Sequence, residues 1–117
     1  GLLSNLKYLI MYDDDSLTRL PDSISRLNQL IHLDVSGSDF SRTPPDPIIK
    51  LPSLQVLIMT HCRLETLPHT ISYLNHLTYL SISENCFEQS PPAAIGLLPS
   101  LQVLFMNESE LKTLPDT

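Results

Sequence analysis

A leucine framework that returns every 23 or 24 residues constrains the fold of this chain more than any other feature. The pattern Leu-x-x-Leu-x-aliphatic begins at Leu6, Leu30, Leu54, Leu77 and Leu101, at spacings of 24, 24, 23 and 24 residues. Chance does not keep five copies in phase, and a fixed period of about 20–50 residues is typical of stacked repeat architectures. The sequence therefore predicts one repeat domain over residues 1–117, with about five repeats.

Two spacings inside each copy predict its local structure. The Leu-x-aliphatic step has period 2, which indicates a short strand with one buried face. The later segment, which reads Leu67, Pro68, Ile71, Leu74 in the third copy, has a spacing of three that suits a 3-10 or short helical turn with proline at its start. One repeat cannot bury its own apolar residues, whereas stacked repeats can, with their strands in a parallel sheet. We expect strands near residues 8–12, 32–36, 56–60, 79–83 and 103–107.

A longer period is superimposed on this framework. The segment 51–57, Leu-Pro-Ser-Leu-Gln-Val-Leu, returns 47 residues later as segment 98–104. Odd copies continue with Leu and then Leu-Pro, whereas even copies continue with Phe and then Pro-Pro. Either the unit of duplication was a pair of repeats, or the sequence was built that way.

The framework resembles the leucine-rich repeat, in the class L-x-x-L-x-x-L-x-L-x-x-N-x-L-x-x-L-P-x-x-I-x-x-L-x-x, over essentially the whole chain. The resemblance implies an α/β solenoid, a right-handed coil with a parallel concave β-sheet and 3-10 or short helical convex segments. This class is similar to Ras-group leucine-rich-repeat proteins and to the repeat arms of plant intracellular immune receptors. In the family, the ninth position is usually an Asn whose amide bonds the neighbouring loop. Asn85 keeps it here, and Ser38, Cys62 and Ser109 replace it.

The two ends of the sequence carry no polar cap. The chain starts just before a strand, and it stops at Leu114-Pro115 where a further copy would continue with Ile. Terminal repeats of a solenoid need a polar outer face to cover their last apolar layer. We therefore expect an excerpt of a longer array, of marginal stability and prone to self-association through uncapped ends.

Charge and hydropathy exclude several classes of partner. The net charge of −6, from 7 basic and 13 acidic residues, argues against nucleic acid and against an anionic membrane as the main partner. No apolar run approaches the roughly 20 residues of a membrane span, so no membrane insertion is expected. A basic or neutral protein partner remains compatible with this charge.

No motif for catalysis or cofactor binding is present, so we expect neither an enzyme nor a cofactor. His61, Cys62, Glu84 and Cys86 fall in the same loop region of neighbouring coils, but their spacing matches no metal-ligand pattern, and no metal is predicted. Cys62 and Cys86 occupy repeat positions nine and ten, so their side chains should point in different directions, which disfavours a disulfide. Free thiols fit a reducing compartment and favour a cytoplasmic location.

Strand alternation places a set of side chains on the solvent-facing, concave side of the sheet, and these are the candidate partner-binding residues. They are Tyr8, Ile10, Tyr12, Asp34, Val56, Ile58, Tyr79, Val103, Phe105 and Asn107. A solvated sheet face normally carries polar side chains, so exposed aliphatic and aromatic groups indicate a contact surface. Two alternatives remain open, namely strand propensity alone and burial by a flanking segment.

The function favoured by these features is protein–protein interaction. We expect a recognition or scaffold arm in signalling or innate immunity that holds a protein partner on its concave face. One alternative is the substrate-recognition arm of a larger enzyme, such as a bacterial effector ligase. The other is an extracellular recognition receptor.

Overall fold

The repeats fold into a single parallel sheet. The computed structural model describes residues 5–11, 24, 26–40, 48, 50–67, 69–87 and 93–107. Five strands follow one another in the sheet in chain order: β1 (Tyr8–Ile10), β2 (His32–Asp34), β3 (Val56–Ile58), β4 (Tyr79–Ser81) and β5 (Val103–Phe105). All neighbouring strands are parallel. The predicted solenoid with a parallel sheet is confirmed.

Residues that are one repeat apart in the sequence pair with each other on neighbouring strands of the sheet. Leu9 pairs with Leu33, Leu33 with Leu57, Leu57 with Leu80, and Leu80 with Leu104. Equivalent residues of successive repeats therefore lie side by side, at the interstrand distance of about 4.8 Å. Each framework position becomes a straight column that crosses the sheet.

Columns of apolar side chains on the inner side of the sheet form the core. The central strand leucines of the middle repeats, Leu33, Leu57 and Leu80, are 0% exposed. The columns on either side of them are equally buried, and their members are Leu30, Leu54 and Leu77, and Val35, Met59 and Ile82. Each buried side chain contacts its equivalents in the neighbouring repeats, so burial depends on stacking.

The convex side of the coil carries short 3-10 helices, as the spacing of three predicts. They span His69–Tyr73 and Ala93–Leu97, and each buries one side chain, Ile71 in the first and Ala94 in the second. A 3-10 helix suits this position because it crosses the back of the coil in few residues.

The strands are shorter than predicted, at three residues instead of five. A backbone turn follows at the eighth repeat position, where Gly37, His61 and Glu84 adopt φ values of 82°, 60° and 61°. Extended backbone cannot continue through the left-handed region. The hydrogen bonds between turns nevertheless continue past the strands, since the amide of Gly37 donates to the carbonyl of Thr60 and that of His61 to Ser83. Hydrogen bonding between turns thus extends beyond the three-residue strands, and the predicted strand ends were wrong.

Asn85, at the ninth repeat position, joins two turns of the coil through its side chain. Its Oδ1 accepts from the amides of Cys62 at 2.9 Å and Leu64 at 3.0 Å. Its Nδ2 donates to the carbonyls of Met59 at 2.8 Å and Ile82 at 2.9 Å. The side chain is buried, so it satisfies backbone groups that water does not reach. The role that the resemblance implied for this position is present here.

Cys62 fills the equivalent slot in the preceding turn with a weaker donor. Its Sγ donates to the carbonyl of Val35 at 3.2 Å, which is the equivalent of the bond from Asn85 Nδ2 to the carbonyl of Met59. Burial raises the pKa of the Cys62 thiol from 9.0 to about 11. Ser38, one turn further back, is also buried, and its hydroxyl has no hydrogen-bond partner among the described residues.

The alternation of buried and half-buried side chains in β3 predicts different costs for adjacent truncations. Leu57→Ala should lower the free energy of unfolding by about 2–5 kcal/mol, because it removes fully buried methyl groups. Ile58→Ala should cost far less, because Ile58 points to the other face and is half-buried. Urea denaturation of the two variants and the wild type measures both values. Equal losses in the two variants would show that the assignment of faces is wrong.

The hydrogen bonds of Asn85 predict a large effect of its removal. Asn85→Ala leaves the amides and carbonyls that it serves without a buried partner, at about 1–3 kcal/mol for each unsatisfied group. We expect a loss of more than about 2 kcal/mol in the free energy of unfolding. Asn75→Ala is the matched control, since Asn75 is exposed, and it should stay within about 0.5 kcal/mol of the wild type. A similar loss in both variants would contradict the role of Asn85.

The two thiols should differ in reactivity. Cys86 is exposed, whereas Cys62 is buried and stays protonated at pH 8 because burial raises its pKa to about 11. The thiolate is the reactive form. A disulfide-exchange reagent at pH 8 should therefore titrate Cys86 alone in the folded chain and both thiols in denaturant. Rapid reaction of Cys62 in the folded Cys86→Ser variant would contradict this burial.

Candidate functional site

Three columns of side chains cross the outward face of the sheet, and together they define the concave face. The leading column is Tyr8, His32, Val56, Tyr79 and Val103. The middle column is Ile10, Asp34, Ile58, Ser81 and Phe105. The trailing column, which follows the strands, contains Ser36, Thr60, Ser83 and Asn107. Every described partner-binding candidate lies in one of these columns, and Tyr12 lies outside the described residues.

The middle column alternates in size along the sheet. Ile10 is 56% exposed and Phe105 is 49% exposed, and half-buried Ile58 lies between them, two strands from each. Parallel strands are about 4.8 Å apart, so these large apolar groups recur at about 9.6 Å. Asp34 and Ser81 occupy the intervening strands. The column therefore consists of apolar ridges separated by two notches with polar floors.

The first notch is acidic. The Asp34 side chain lies between Ile10 on one strand and Ile58 on the other. Its Oδ1 accepts the amide hydrogen of Ser36 at 2.9 Å, which fixes the carboxylate on the concave face. An ionised carboxylate has about four lone-pair sites, so Asp34 keeps acceptor capacity for a further donor.

The second notch is neutral and shallow. Ser81 points to the concave face, but it is only 7% exposed, because larger side chains flank it on both strands. Its hydroxyl lies 3.0 Å from Thr60 Oγ1 in a hydrogen bond. Strand alternation correctly gave its direction but not its burial, which depends on the size of its neighbours.

Two aromatic pairs lie on the concave face, one toward each end of the described sheet. The rings of Tyr8 and His32 are 5.8 Å apart at 46°, and those of Tyr79 and Phe105 are 5.5 Å apart at 45°. Tilted contacts of this kind are favourable between aromatic rings. The 24-residue spacing between Tyr8 and His32 is the sequence signal that places the two rings on neighbouring strands.

The trailing column is a series of hydrogen bonds between turns. Ser36 Oγ accepts the amide hydrogen of Thr60 at 3.2 Å, and Ser83 Oγ accepts that of Asn107 at 3.0 Å. The hydroxyl groups of these side chains bond to the backbone of the next turn, so the trailing column supplies less of the contact surface than the other two. The exposed side chain of Asn107 remains accessible at one end.

The loop residues considered for metal binding do not form a site. In the described part of the chain, no group of three or more His, Cys, Asp or Glu side chains could hold a metal ion. His61 and Cys86 are exposed, Cys62 is buried in the loop, and both cysteines are free. Arg63 pairs with Asp39 at 3.6 Å in the same region.

The described residues contain no helix with the length and hydropathy that a membrane crossing requires.

The described outward side chains thus combine apolar ridges, one carboxylate and two aromatic pairs on the sheet. Of the residues predicted for binding, the structure brings Tyr8 and Ile10 together at one end and Val56 and Ile58 at the centre. Phe105 joins Tyr79 and Val103 at the other end. The arrangement suits noncovalent recognition through shape and apolar contact.

Comparisons with solved structures show where this architecture occurs. The plant peptide hormone receptor RGFR1, solved in complex with RGF2, has a TM-score of 0.65 and 25% identity over 89% of this chain and 17% of the receptor. The Arabidopsis receptor kinase HAESA, solved with the peptide hormone IDA and the co-receptor SERK1, has a TM-score of 0.61 and 29% identity over 75% of this chain and 15% of that protein. This chain therefore spans less than a fifth of either receptor.

A bacterial protein shares the fold at lower identity. Internalin C2 of Listeria monocytogenes has a TM-score of 0.63 and 20% identity over 91% of this chain and 54% of that one. No curated protein sequence matches the chain significantly. The family model described as Leucine rich repeat matches residues 52–111, which is half of the chain. Together with the five-stranded coil, this match shows that the chain belongs to the leucine-rich-repeat family.

Proposed function

We propose that this chain holds a protein partner on its concave face, as a recognition or scaffold arm in signalling or innate immunity. The observation that carries the proposal is the row of apolar ridges at Ile10, Ile58 and Phe105 on a face that water would otherwise cover. Burial of exposed apolar surface is the main favourable term in protein association. Leucine-rich repeats are generally a non-enzymatic fold for protein interaction, which agrees with this assignment.

The solved relatives support a polypeptide as the bound species. The plant peptide hormone receptor RGFR1 was solved in complex with RGF2, and HAESA was solved in complex with the peptide hormone IDA. We infer that the present chain likewise binds protein or peptide. The Leu-Pro-x-x-Ile segments favour, within the family, the class of Ras-group proteins and plant intracellular immune receptors. The free cysteines favour a reducing, cytoplasmic setting for such a protein.

The second candidate is an extracellular recognition receptor, favoured by the likeness to the two plant hormone receptors. It shares the concave-face mechanism and differs in compartment. The state of Cys86 distinguishes the two settings, because an exposed thiol outside the cell is open to oxidation. Mass measurement of the protein from its native source gives that state directly.

The concave face makes a specific prediction for partner capture. Ile58→Glu places a charge at the centre of the apolar row and should reduce partner retention by at least about tenfold, since buried apolar anchors dominate such interfaces. The control is Tyr73→Glu, which introduces the same charge at a convex side chain that is 67% exposed. Quantitative mass spectrometry of proteins captured from the native cell extract compares both variants with the wild type.

The expected result is a defined protein that the wild type and Tyr73→Glu retain equally and that Ile58→Glu loses. Matched melting curves must accompany the capture, so that unfolding does not imitate lost binding. If the wild type and both variants retain the same proteins, the concave face is not the binding surface and the proposal fails.

A further inference from the structure

The spacing of the ridges on the concave face restricts the shape of what binds there. Large apolar groups recur on every second strand, and Asp34 and Ser81 lie in the notches between them. With strands about 4.8 Å apart, the two notches are about 9.6 Å apart. A chain that crosses the strands and places a side chain in each notch must repeat at this distance.

Regular backbone conformations differ in how well they match this distance. A β-strand returns a side chain to the same face after about 6.6 Å, and an α-helix does so over seven residues after about 10.5 Å. A polyproline II helix has three residues per turn and a rise of about 3.1 Å, so its side chains return every 9.3 Å or so. Curvature of a concave face brings side-chain tips closer together than the strands beneath them, which improves the match to polyproline II and worsens the match to an α-helix.

The chemistry of the face agrees with this conformation. Proline-rich segments dock on aromatic-lined surfaces. The concave face presents two aromatic pairs, Tyr8 with His32 and Tyr79 with Phe105. The polyproline II backbone has no internal hydrogen bonds, so its carbonyls remain free to accept from tyrosine hydroxyls.

The two notches also distinguish the side chains they accept. Among the described residues of the three columns, Asp34 is the one carboxylate, and it keeps acceptor capacity after its bond to the Ser36 amide. The chain as a whole carries a net charge of −6, which adds to the attraction for a cation. The second notch has a hydroxyl floor that is almost closed, since Ser81 is only 7% exposed, so it has room for a small side chain and no more.

We propose that the concave face binds a proline-rich segment in the polyproline II conformation that crosses the strands. Its lysine or arginine contacts Asp34, and a small side chain three residues away lies over Ser81. The inference rests on the proposed function and adds the conformation and charge of the bound segment.

Three synthetic peptides test this proposal with the full chain. The first, acetyl-PPKPPAPPP-amide, places Lys and Ala three residues apart, and the second, acetyl-PPKPAPPPP-amide, places them two apart. The third, acetyl-PPEPPAPPP-amide, reverses the charge. Titration by chemical-shift or fluorescence change measures each affinity. We expect the first peptide to bind at least about tenfold more tightly than the third, because one well-placed charged contact is worth about that factor. We also expect it to bind more tightly than the second, whose Lys and Ala are not spaced to occupy both notches at once.

Variants of the protein locate the contacts. Asp34→Asn should lower the affinity for the first peptide by about tenfold, so that the first and third peptides bind equally well. Glu65→Gln is the matched control, because it removes one negative charge from an exposed connecting segment outside the sheet, and it should leave the affinity unchanged. Ile58→Glu should abolish binding, and Tyr73→Glu should not.

Equal affinity for the first two peptides would overturn the spacing argument, and an unchanged affinity in Asp34→Asn would overturn the charge argument. Absence of binding by the first peptide at roughly millimolar concentration would overturn the proposal as a whole. If that happens while partner capture still depends on Ile58, the concave face binds a partner of another shape, and the proposed function stands. If capture does not depend on Ile58, the proposed function itself fails.

Discussion

Burial of each repeat's leucines by the next repeat is the interaction on which the rest of this structure depends. Leu33, Leu57 and Leu80 are fully buried because each has an equivalent leucine on either side. The hydrophobic effect thus acts along the coil, between neighbours in the stack, and not toward one central core. It fixes the parallel register, and the register in turn aligns the outward side chains into the columns of the concave face. The concave face is thus a by-product of the packing beneath it.

Much of this architecture follows from the sequence because period and burial are coupled. The spacing of Leu6, Leu30, Leu54, Leu77 and Leu101 is enough to predict five parallel strands and their register. The alternation inside each strand then separates Leu57, in the core, from Ile58, on the concave face. Strand alternation predicts the buried face well, because a shift of the register by one residue would expose a whole column of apolar side chains.

The turns after the strands and the exposure of individual side chains depend on local contacts that the repeat period of the sequence does not specify. The turn after each strand depends on left-handed backbone at Gly37, His61 and Glu84, and only the first of these residues favours that conformation by type. The burial of Ser81 depends on the bulk of Ile58 and Phe105, and the stacking of His32 depends on Tyr8. The described candidates for partner binding lie on one face of the sheet, whereas the exposure of each follows from the sizes of side chains one repeat away.

The ladder at the ninth repeat position has a mechanical consequence for the concave face. Asn85 ties the third and fourth turns with three short hydrogen bonds, whereas the Cys62 thiol makes one bond between the second and third. Side-chain hydrogen bonds between turns are therefore denser between the third and fourth turns than between the second and third. Asp34 and Ile58 belong to the pair of turns with fewer of these bonds. We therefore expect the distance between the Asp34 and Ile58 side chains to adapt to a bound segment more readily than the distance between Ile58 and Ser81.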